Sequence, residues 1–365
     1  MADCILIGGG LMGMLTARYL HEAGARVLLL ERGRLGGEAS WASGGILSPL
    51  YPWRHPAAVN RMAAVSQSMY PQLAESLTAE TGIDPQWIQS GMLVLDVDER
   101  PPAMRWRADH NIQVTALDRQ EIHACEPALA PVFEQSLWLP DIAQIRSPRL
   151  VKALRSSLSV RNVDYREGVE VLCLRVRGGA LTGVETSSGA FNAARVLITA
   201  GAWSARLIPP NFAPVAVKPV RGQIIVLNAP QGLVRRIVLC RGDYLIPRKD
   251  GRVLVGSTLE DSGFDNSTTV AAREELVAKA TAWVPALRNY PIEHHWSGLR
   301  PGSPAGIPYV GEHPELHGLF LNTGHFRCGL ALGPASARLA ADLVLQRPPV
   351  LAPEAYSLSA ARAEY

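Results

Sequence analysis

Residues 3–13, Asp3-Cys4-Ile5-Leu6-Ile7-Gly8-Gly9-Gly10-Leu11-Met12-Gly13, decide the fold when read together with residues 14–31. The apolar run stops at glycine. Met14 to Leu20 then carries apolar residues at helical spacing, and Arg26-Val27-Leu28-Leu29-Leu30 is a second buried-strand run ending at Glu31. That is strand, turn, helix, strand, with glycines at 8, 10 and 13. In such a unit Gly8 permits the tight turn, Gly10 lets backbone approach a pyrophosphate, and Gly13 lets the helix pack closely on the strand. The helix start offers free N–H groups and a positive dipole end to phosphate. Glu31 is placed to accept hydrogen bonds from a ribose. Strand before, helix after and an acid at the second strand's end make the pattern specific for an adenine dinucleotide. FAD and NAD both satisfy it.

The next stretch separates them. Arg32-Gly33-Arg34-Leu35-Gly36-Gly37-Glu38-Ala39-Ser40-Trp41-Ala42-Ser43-Gly44-Gly45-Ile46-Leu47 is dominated by small residues, the composition of backbone laid closely against a ligand or of a mobile surface loop. An NAD-binding unit would move to its next strand here. A larger ligand running on across the sheet is favoured, and that means FAD.

Composition sets the bounds. At 365 residues, 47% hydrophobic and 19% charged, the chain has room for two domains and reads as an ordinary globular enzyme. A net charge of +3 gives no reason to expect nucleic acid or an anionic membrane as partner. The five cysteines, Cys4, Cys125, Cys173, Cys240 and Cys328, form no C-x-x-C, so zinc and dithiol chemistry lack support and a reducing cytoplasm is expected. Asp3 interrupts any signal peptide, and no long uncharged apolar run predicts a membrane span.

Along the chain, periodicity predicts a helix over 56–81 stopped by Gly82, then short strands and helices without a βαβ rhythm up to residue 145. A helix over 148–158 carries proline in its first turn. Strands are expected over 165–174 and 181–186 around Gly178-Gly179, then a buried strand from Arg195 that turns at Gly201 into a helix. Residues 217–227 read as a long strand, 243–258 as a hairpin turning at Asp250-Gly251, and 271–284 as an amphipathic helix. A closing helix is expected over 334–345. The fold class is α/β: a Rossmann-like dinucleotide domain of glutathione-reductase type plus an α+β domain with a mainly antiparallel sheet. The expected dinucleotide part is 1–84, 146–212 and 297–365, and the substrate-binding part is 85–145 and 213–296.

With these residues laid out, the chain resembles the D-amino-acid oxidase and sarcosine oxidase superfamily of FAD-dependent oxidoreductases, and within it the glycine oxidases of thiamine biosynthesis. The resemblance covers nearly the whole chain. It rests on Ile7-Gly8-Gly9-Gly10-Leu11-Met12-Gly13, the 33–47 loop, Tyr244-Leu245-Ile246-Pro247-Arg248, Gly298-Leu299-Arg300-Pro301-Gly302 and Gly324-His325-Phe326-Arg327-Cys328-Gly329. It implies that Leu11, Met12, Glu31, Arg32, Ser40, Gly44, Gly45, Ile46 and Val171 touch FAD, beside the fingerprint glycines Gly8, Gly10 and Gly13. It also implies that His325, Phe326, Arg327, Cys328, Gly329, Leu330 and Ala331 surround the flavin ring. Arg300 and Arg327 match positions that hold the substrate carboxylate, and Tyr244 matches a pocket tyrosine. Leu259 stands where the family pattern has a methionine beside the substrate. No cysteine occupies the position some sarcosine oxidases use for a covalent link, so FAD is expected to be non-covalent.

The implied activity is oxidation of glycine, sarcosine and small D-amino acids by O2, through hydride transfer from Cα to flavin N5, giving the 2-oxo acid, ammonia or amine, and hydrogen peroxide. A homotetramer and a hand-off of product to a thiazole-forming enzyme are implied by the resemblance alone. Two other readings stay open: a dehydrogenase passing electrons to a quinone or partner protein, and a flavin-bearing subunit without turnover. Among the residues, an arginine fork fixes the plane of a carboxylate as lysine cannot, so Arg300 is the expected anchor. Arg327 either shares that carboxylate or holds loop backbone. His325 is expected to pack or touch the flavin rather than act as base, because hydride transfer from a neutral amine needs none. Cys328 is expected to be a buried inert thiol.

Overall fold

The strand Cys4–Ile7 lies inside a six-stranded sheet. Val27–Glu31 and Val196–Ile198 flank it in parallel, Asp164–Glu167 and Leu319–Thr323 lie outside them, and Tyr309–Glu312 closes one edge antiparallel. The computed structural model describes residues 2–110 and 112–362; of the expected spans, Met1, Asn111 and 363–365 lie outside the described residues. Side chains alternate across a strand. Cys4 and Leu6 therefore enter one core with the helices Leu11–Glu22, Ala57–Thr81, Ser147–Val160 and Gly329–Val344. Ile5 and Ile7 enter another with Val171, Leu174, Leu181 and Val184 of a three-stranded antiparallel meander. Both faces are covered, which is why the strand is apolar throughout.

An eight-stranded sheet faces this unit, antiparallel apart from Ile237–Cys240 against Met92–Val94. Its longest pairing joins Lys218–Leu227 to Ile292–Gly302, and the hairpin Asp243–Pro247 with Val253–Gly256 lies beside it. The strand Ile292–Gly302 runs unbroken through the boundary expected at 296/297, because Ser297 to Gly302 pair with Gln223 to Lys218.

Three further differences concern single elements. The strand expected over 165–174 is two strands in different sheets, Asp164–Glu167 and Val171–Arg177, broken at Gly168 with φ +73°. Gly168 N–H and Val169 N–H turn to the carbonyls of Gly33 and Glu31. After Val196–Ile198 the chain forms a 3₁₀ segment, Gly201–Leu207, in place of an α-helix. The closing helix begins at Gly329, ahead of Pro334.

A proline inside a helix leaves the carbonyl four residues earlier without its N–H donor. Here that carbonyl is Leu330, and the Tyr70 hydroxyl donates to it at 2.5 Å. Ala335 N–H in turn donates to Ser66 Oγ at 3.0 Å. Both partners come from Ala57–Thr81, so the long helix makes the early start of the last helix possible. Tyr70 is fully buried. Tyr70→Phe is expected to lose about 1–3 kcal/mol of stability by orphaning the Leu330 carbonyl, read as a lower urea midpoint. Adding Pro334→Ala should recover most of it by restoring a helical donor. An unchanged midpoint in Tyr70→Phe would overturn this account.

Candidate active site

Between the two sheets lies a cavity of about 400 Å³. One wall is the glycine turn. Gly8 has φ +106°, and a Cβ there would meet Thr199 O at 2.7 Å, so only glycine fits. Thr199 Oγ1 donates to the Gly8 carbonyl at 2.7 Å and holds the turn from the neighbouring strand. The Glu31 carboxylate accepts the N–H groups of Gly9 and Gly33, each at 2.7 Å. It braces the turn while lining the cavity. Leu11 N–H donates to Ser40 Oγ at 2.8 Å. The helices Leu11–Glu22 and Gly329–Val344 both start at this cavity, and neither has an N-cap side-chain bond or an acid in its first turn. The first-turn N–H groups left over beside the Leu11–Ser40 bond suit anionic groups.

The opposite wall carries the charged groups. Arg300, on Ile292–Gly302, donates from Nη2 to Ser257 Oγ at 2.7 Å and from Nη1 to Thr258 O at 3.2 Å. Its guanidinium lies over Gly222 on the paired strand, where a Cβ would sit 2.0–2.2 Å from it. Burial pulls the Arg300 pKa down to about 10, which leaves it a cation at neutral pH. The Tyr244 ring packs against two glycines: a Cβ on Gly44 would meet its hydroxyl at 2.9 Å, and one on Gly256 its ring at 2.9 Å. Arg327 donates from Nη2 to the Gly242 carbonyl at 2.8 Å.

His325 is held inward. Its Nε2 lies 2.7 Å from Ser336 Oγ, and that hydroxyl gives its own proton to Asn322 Oδ1 at 2.7 Å. Nε2 is therefore the protonated nitrogen, donating to Ser336. Burial lowers the His325 pKa to about 3, so the ring is neutral near pH 7. Burial also pushes the Cys328 thiol up to about 12.

Of the expected cofactor set, Gly8, Gly10, Leu11, Met12, Glu31, Arg32, Ser40, Gly44, Gly45, Ile46, Val171, His325, Phe326, Arg327, Gly329 and Leu330 line the cavity, together with Tyr244 and Arg300. Three do not line it. Gly13 packs under the turn, a Cβ there meeting Gly8 O at 2.0 Å, and Cys328 and Ala331 face the helical core. Leu259 does not line it either. It is 56% exposed on a separate depression shared with Thr258, Glu260 and Arg327, where Thr258 and Glu260 keep backbone bonds to Gln223 and Arg221 on either side of it. Sequence reading missed Gly222, Thr199, Ser257 and Trp203. Trp203 lines the cavity beneath the Arg32 guanidinium, 3.9 Å from its ring centroid. The Thr199-Ala200-Gly201 strand end was the one visible signal.

A glycine-cradled dinucleotide fold, covered by an antiparallel sheet that presents a half-buried arginine to the cavity, fits a flavin-dependent oxidoreductase. The chain belongs to the DAO family of FAD-dependent oxidoreductases, which it matches over residues 3–343. It is 45% identical to a glycine oxidase of Pseudomonas aeruginosa, over 97% of both chains. It is 42% identical to one of Pseudomonas putida, again over 97% of both. The crystal structure of glycine oxidase from Geobacillus kaustophilus superposes with a TM-score of 0.92 at 30% identity, covering 98% of each chain. FAD is the cofactor of the family, and the glycine turn with two uncapped helix starts fits it.

The depressed His325 pKa has a stability consequence. Below about pH 6.5 the unfolded chain takes up a proton that the folded chain refuses until near pH 3, so folding weakens as pH falls through that window. Above it the contribution is flat. His325→Gln removes this titration. The stability of wild type relative to the variant should fall by up to about 1.4 kcal/mol per pH unit between roughly pH 6 and 4.5, measured by urea unfolding. A constant difference would show that His325 titrates normally.

Proposed function

We propose that this protein oxidises glycine, and with it sarcosine and small D-amino acids, to the imine and then the 2-oxo acid, with O2 as electron acceptor and hydrogen peroxide as product. The observation that carries the reading is the Arg300 guanidinium, half-buried over Gly222 and beside Tyr244, aimed into the cavity without a carboxylate partner among its described bonds. A partly desolvated cation of that kind favours a bound carboxylate. The glycine oxidases at 45% and 42% identity support the same substrate. When bound, FAD supplies the chemistry by taking two electrons and a hydrogen from the substrate carbon.

The protein's part is placement. Gly10 and Met12 would offer backbone N–H groups to the pyrophosphate with Gly8 and Leu11 lining it, Glu31 would take the ribose, and Ser40, Gly44 to Ile46 and His325 to Leu330 the rest of the cofactor. Arg300 holds the substrate carboxylate by its fork, Tyr244 closes beside it, and Arg327 adds a second charge. Neutral His325 carries its proton on the Ser336-bound nitrogen, so that nitrogen takes no proton from substrate, and its bond ties residue 325 to the last helix instead. The division of labour follows the two sheets: 1–84, 146–212 and 303–365 hold FAD, and 85–145 with 213–302 cover the substrate. Among the described residues no helix is long and apolar enough to cross a membrane. We place the activity in the cytoplasm, in a homotetramer, feeding a thiazole-forming enzyme of thiamine synthesis. The support for that last step is the bifunctional ThiO/ThiG proteins of Nostoc and Synechocystis, matched over 53% and 52% of their length.

The test is peroxide release with a panel of amines, beside anaerobic bleaching of the flavin. Glycine and sarcosine should exceed D-alanine, with D-valine and D-phenylalanine poorest, since each misfit methyl in a filled pocket costs about 1–3 kcal/mol. Bleaching without peroxide would mean another electron acceptor; no bleaching by any of them would defeat the reading. Arg300→Ala should weaken carboxylate binding by about 2–5 kcal/mol, from roughly thirtyfold to several thousandfold in Kd. Arg300→Lys should recover only part, because a point charge does not fix the carboxylate plane. Wild-type affinity in Arg300→Ala would mean that another group is the anchor.

A further prediction concerns the cofactor. Glu31→Ala strips the acceptor from Gly9 and Gly33 N–H as well as from the ribose. FAD affinity should drop by about 1.5–3 kcal/mol, measured by titrating the apoprotein and following flavin fluorescence. Unchanged affinity would remove Glu31 from the cofactor site.

A further inference from the structure

Arg327 is aimed by a chain of contacts that starts outside the cavity. Its one described hydrogen bond is to the carbonyl of Gly242. Gly242 and Arg241 form the two-residue connection between Ile237–Cys240 and Asp243–Pro247, and both have positive φ, +84° and +50°. A two-residue hairpin with both φ values positive prefers asparagine or aspartate before glycine. An arginine in the first place is unfavourable and needs support. Asp96 supplies it, accepting Arg241 N–H at 3.0 and 2.9 Å on its two oxygens. The Tyr51 hydroxyl donates to Asp96 and accepts Gly242 N–H at 3.0 Å.

We propose that Tyr51 and Asp96 are positioning residues that hold the Arg241-Gly242 turn so that Arg327 points at the substrate carboxylate. The inference rests on the placement of Arg327 under Proposed function. The direction of the relay is fixed by chemistry. The Tyr51 ring is 4% exposed, and burial together with Asp96 pushes its pKa up, so its hydroxyl keeps its proton for Asp96 and offers a lone pair to Gly242 N–H. The segment bearing Tyr51 is pinned beside it: Trp53 and Arg54 both donate to Glu99, and the Arg54 guanidinium lies 4.3 Å from the centroid of the Tyr51 ring. On its other side the same segment gives Ser48 and Leu50 to the cavity wall. One loop thus both walls the site and sets the carbonyl that orients its second arginine.

The experiment is steady-state glycine oxidation by holoenzyme in a double-variant cycle of Tyr51→Phe and Arg327→Gln. Tyr51→Phe should raise KM for glycine about tenfold and leave kcat and FAD content near wild type, because the relay acts on binding geometry and not on the chemical step. In the Arg327→Gln background the same change should add less than about twofold, since both act through one contact. Asp96→Asn, which keeps the shape and loses the charge, should give the same pattern at smaller amplitude. Effects that multiply in the double variant, or a Tyr51→Phe KM within about twofold of wild type, would overturn the proposal. So would an Arg327→Gln enzyme with wild-type KM. If glycine is never turned over, the functional reading fails by itself. The relay is then read from the Kd of acetate by flavin absorbance, where the same losses support it and wild-type values overturn it.

Discussion

One buried guanidinium fastens the covering sheet to the small-residue loop beneath it and to residues 144 and 145. Arg248, following the Asp243–Pro247 hairpin strand, donates to Gly44 O at 2.6 Å, Gln144 Oε1 at 2.9 Å and Ile145 O at 3.2 Å. Those acceptors belong to segments already laid backbone against backbone: Ile145 N–H donates to Gly45 O, and a Cβ on Gly45 would sit 2.0 Å from Ile145 O. All three acceptors are neutral oxygens. Burial, with the nearby Arg146 charge adding to it, pulls the Arg248 pKa down to about 10, so it stays a cation whose charge is met by carbonyl dipoles. A lysine would offer one compact head and could not span three acceptors in different directions. Removing the guanidinium would orphan three buried oxygens together.

The clamp sets how near the covering sheet comes, and small residues at the contact make that distance tolerable. Gly44 is held by Arg248 through its carbonyl and lies under the Tyr244 hydroxyl through its missing side chain. Gly298 approaches the Ala39–Ala42 turn closely enough that a Cβ would meet Ala42 Cβ at 2.7 Å. Trp296 Nε1 donates to the Ala42 carbonyl at 3.0 Å and locks the same approach. The small-residue stretch from 33 to 47 is therefore shaped by the sheet above it as much as by a dinucleotide.

Much of this was legible in the residues because it is local. The glycine turn, the helix ended by Gly82 with φ +70° and the hairpin at Asp250-Gly251 depend on φ preferences and on spacing within a few residues. The rest joins distant segments. The Arg248 clamp closes over 204 residues and the Tyr70 bond to Leu330 over 260. Neither leaves a periodic trace. Pro334 misled because a proline inside a helix is normally a boundary; Tyr70 and Ser66 make an earlier start possible, and they lie in another helix. Leu259 was not legible for a related reason: it lies between Thr258 and Glu260, whose backbone bonds to Gln223 and Arg221, far off in sequence, leave its side chain exposed.

The charges follow a single rule. Acids near the substrate side are engaged with groups other than Arg300 and Arg327: Glu260 with Arg221 at 2.6 Å, Asp243 with Lys279 at 2.6 Å, and Asp96 with the Arg241 N–H and the Tyr51 phenol. Arg300 and Arg327 are left bonded to neutral oxygens, and His325 on the wall is held uncharged by burial. A wall with two guanidinium ions whose described bonds include no acid has a local positive potential that water does not fully screen. Such a potential suits an anionic ligand better than its neutral counterpart. It holds because the compensating acids are tied elsewhere by geometry that the fold, not the site, provides.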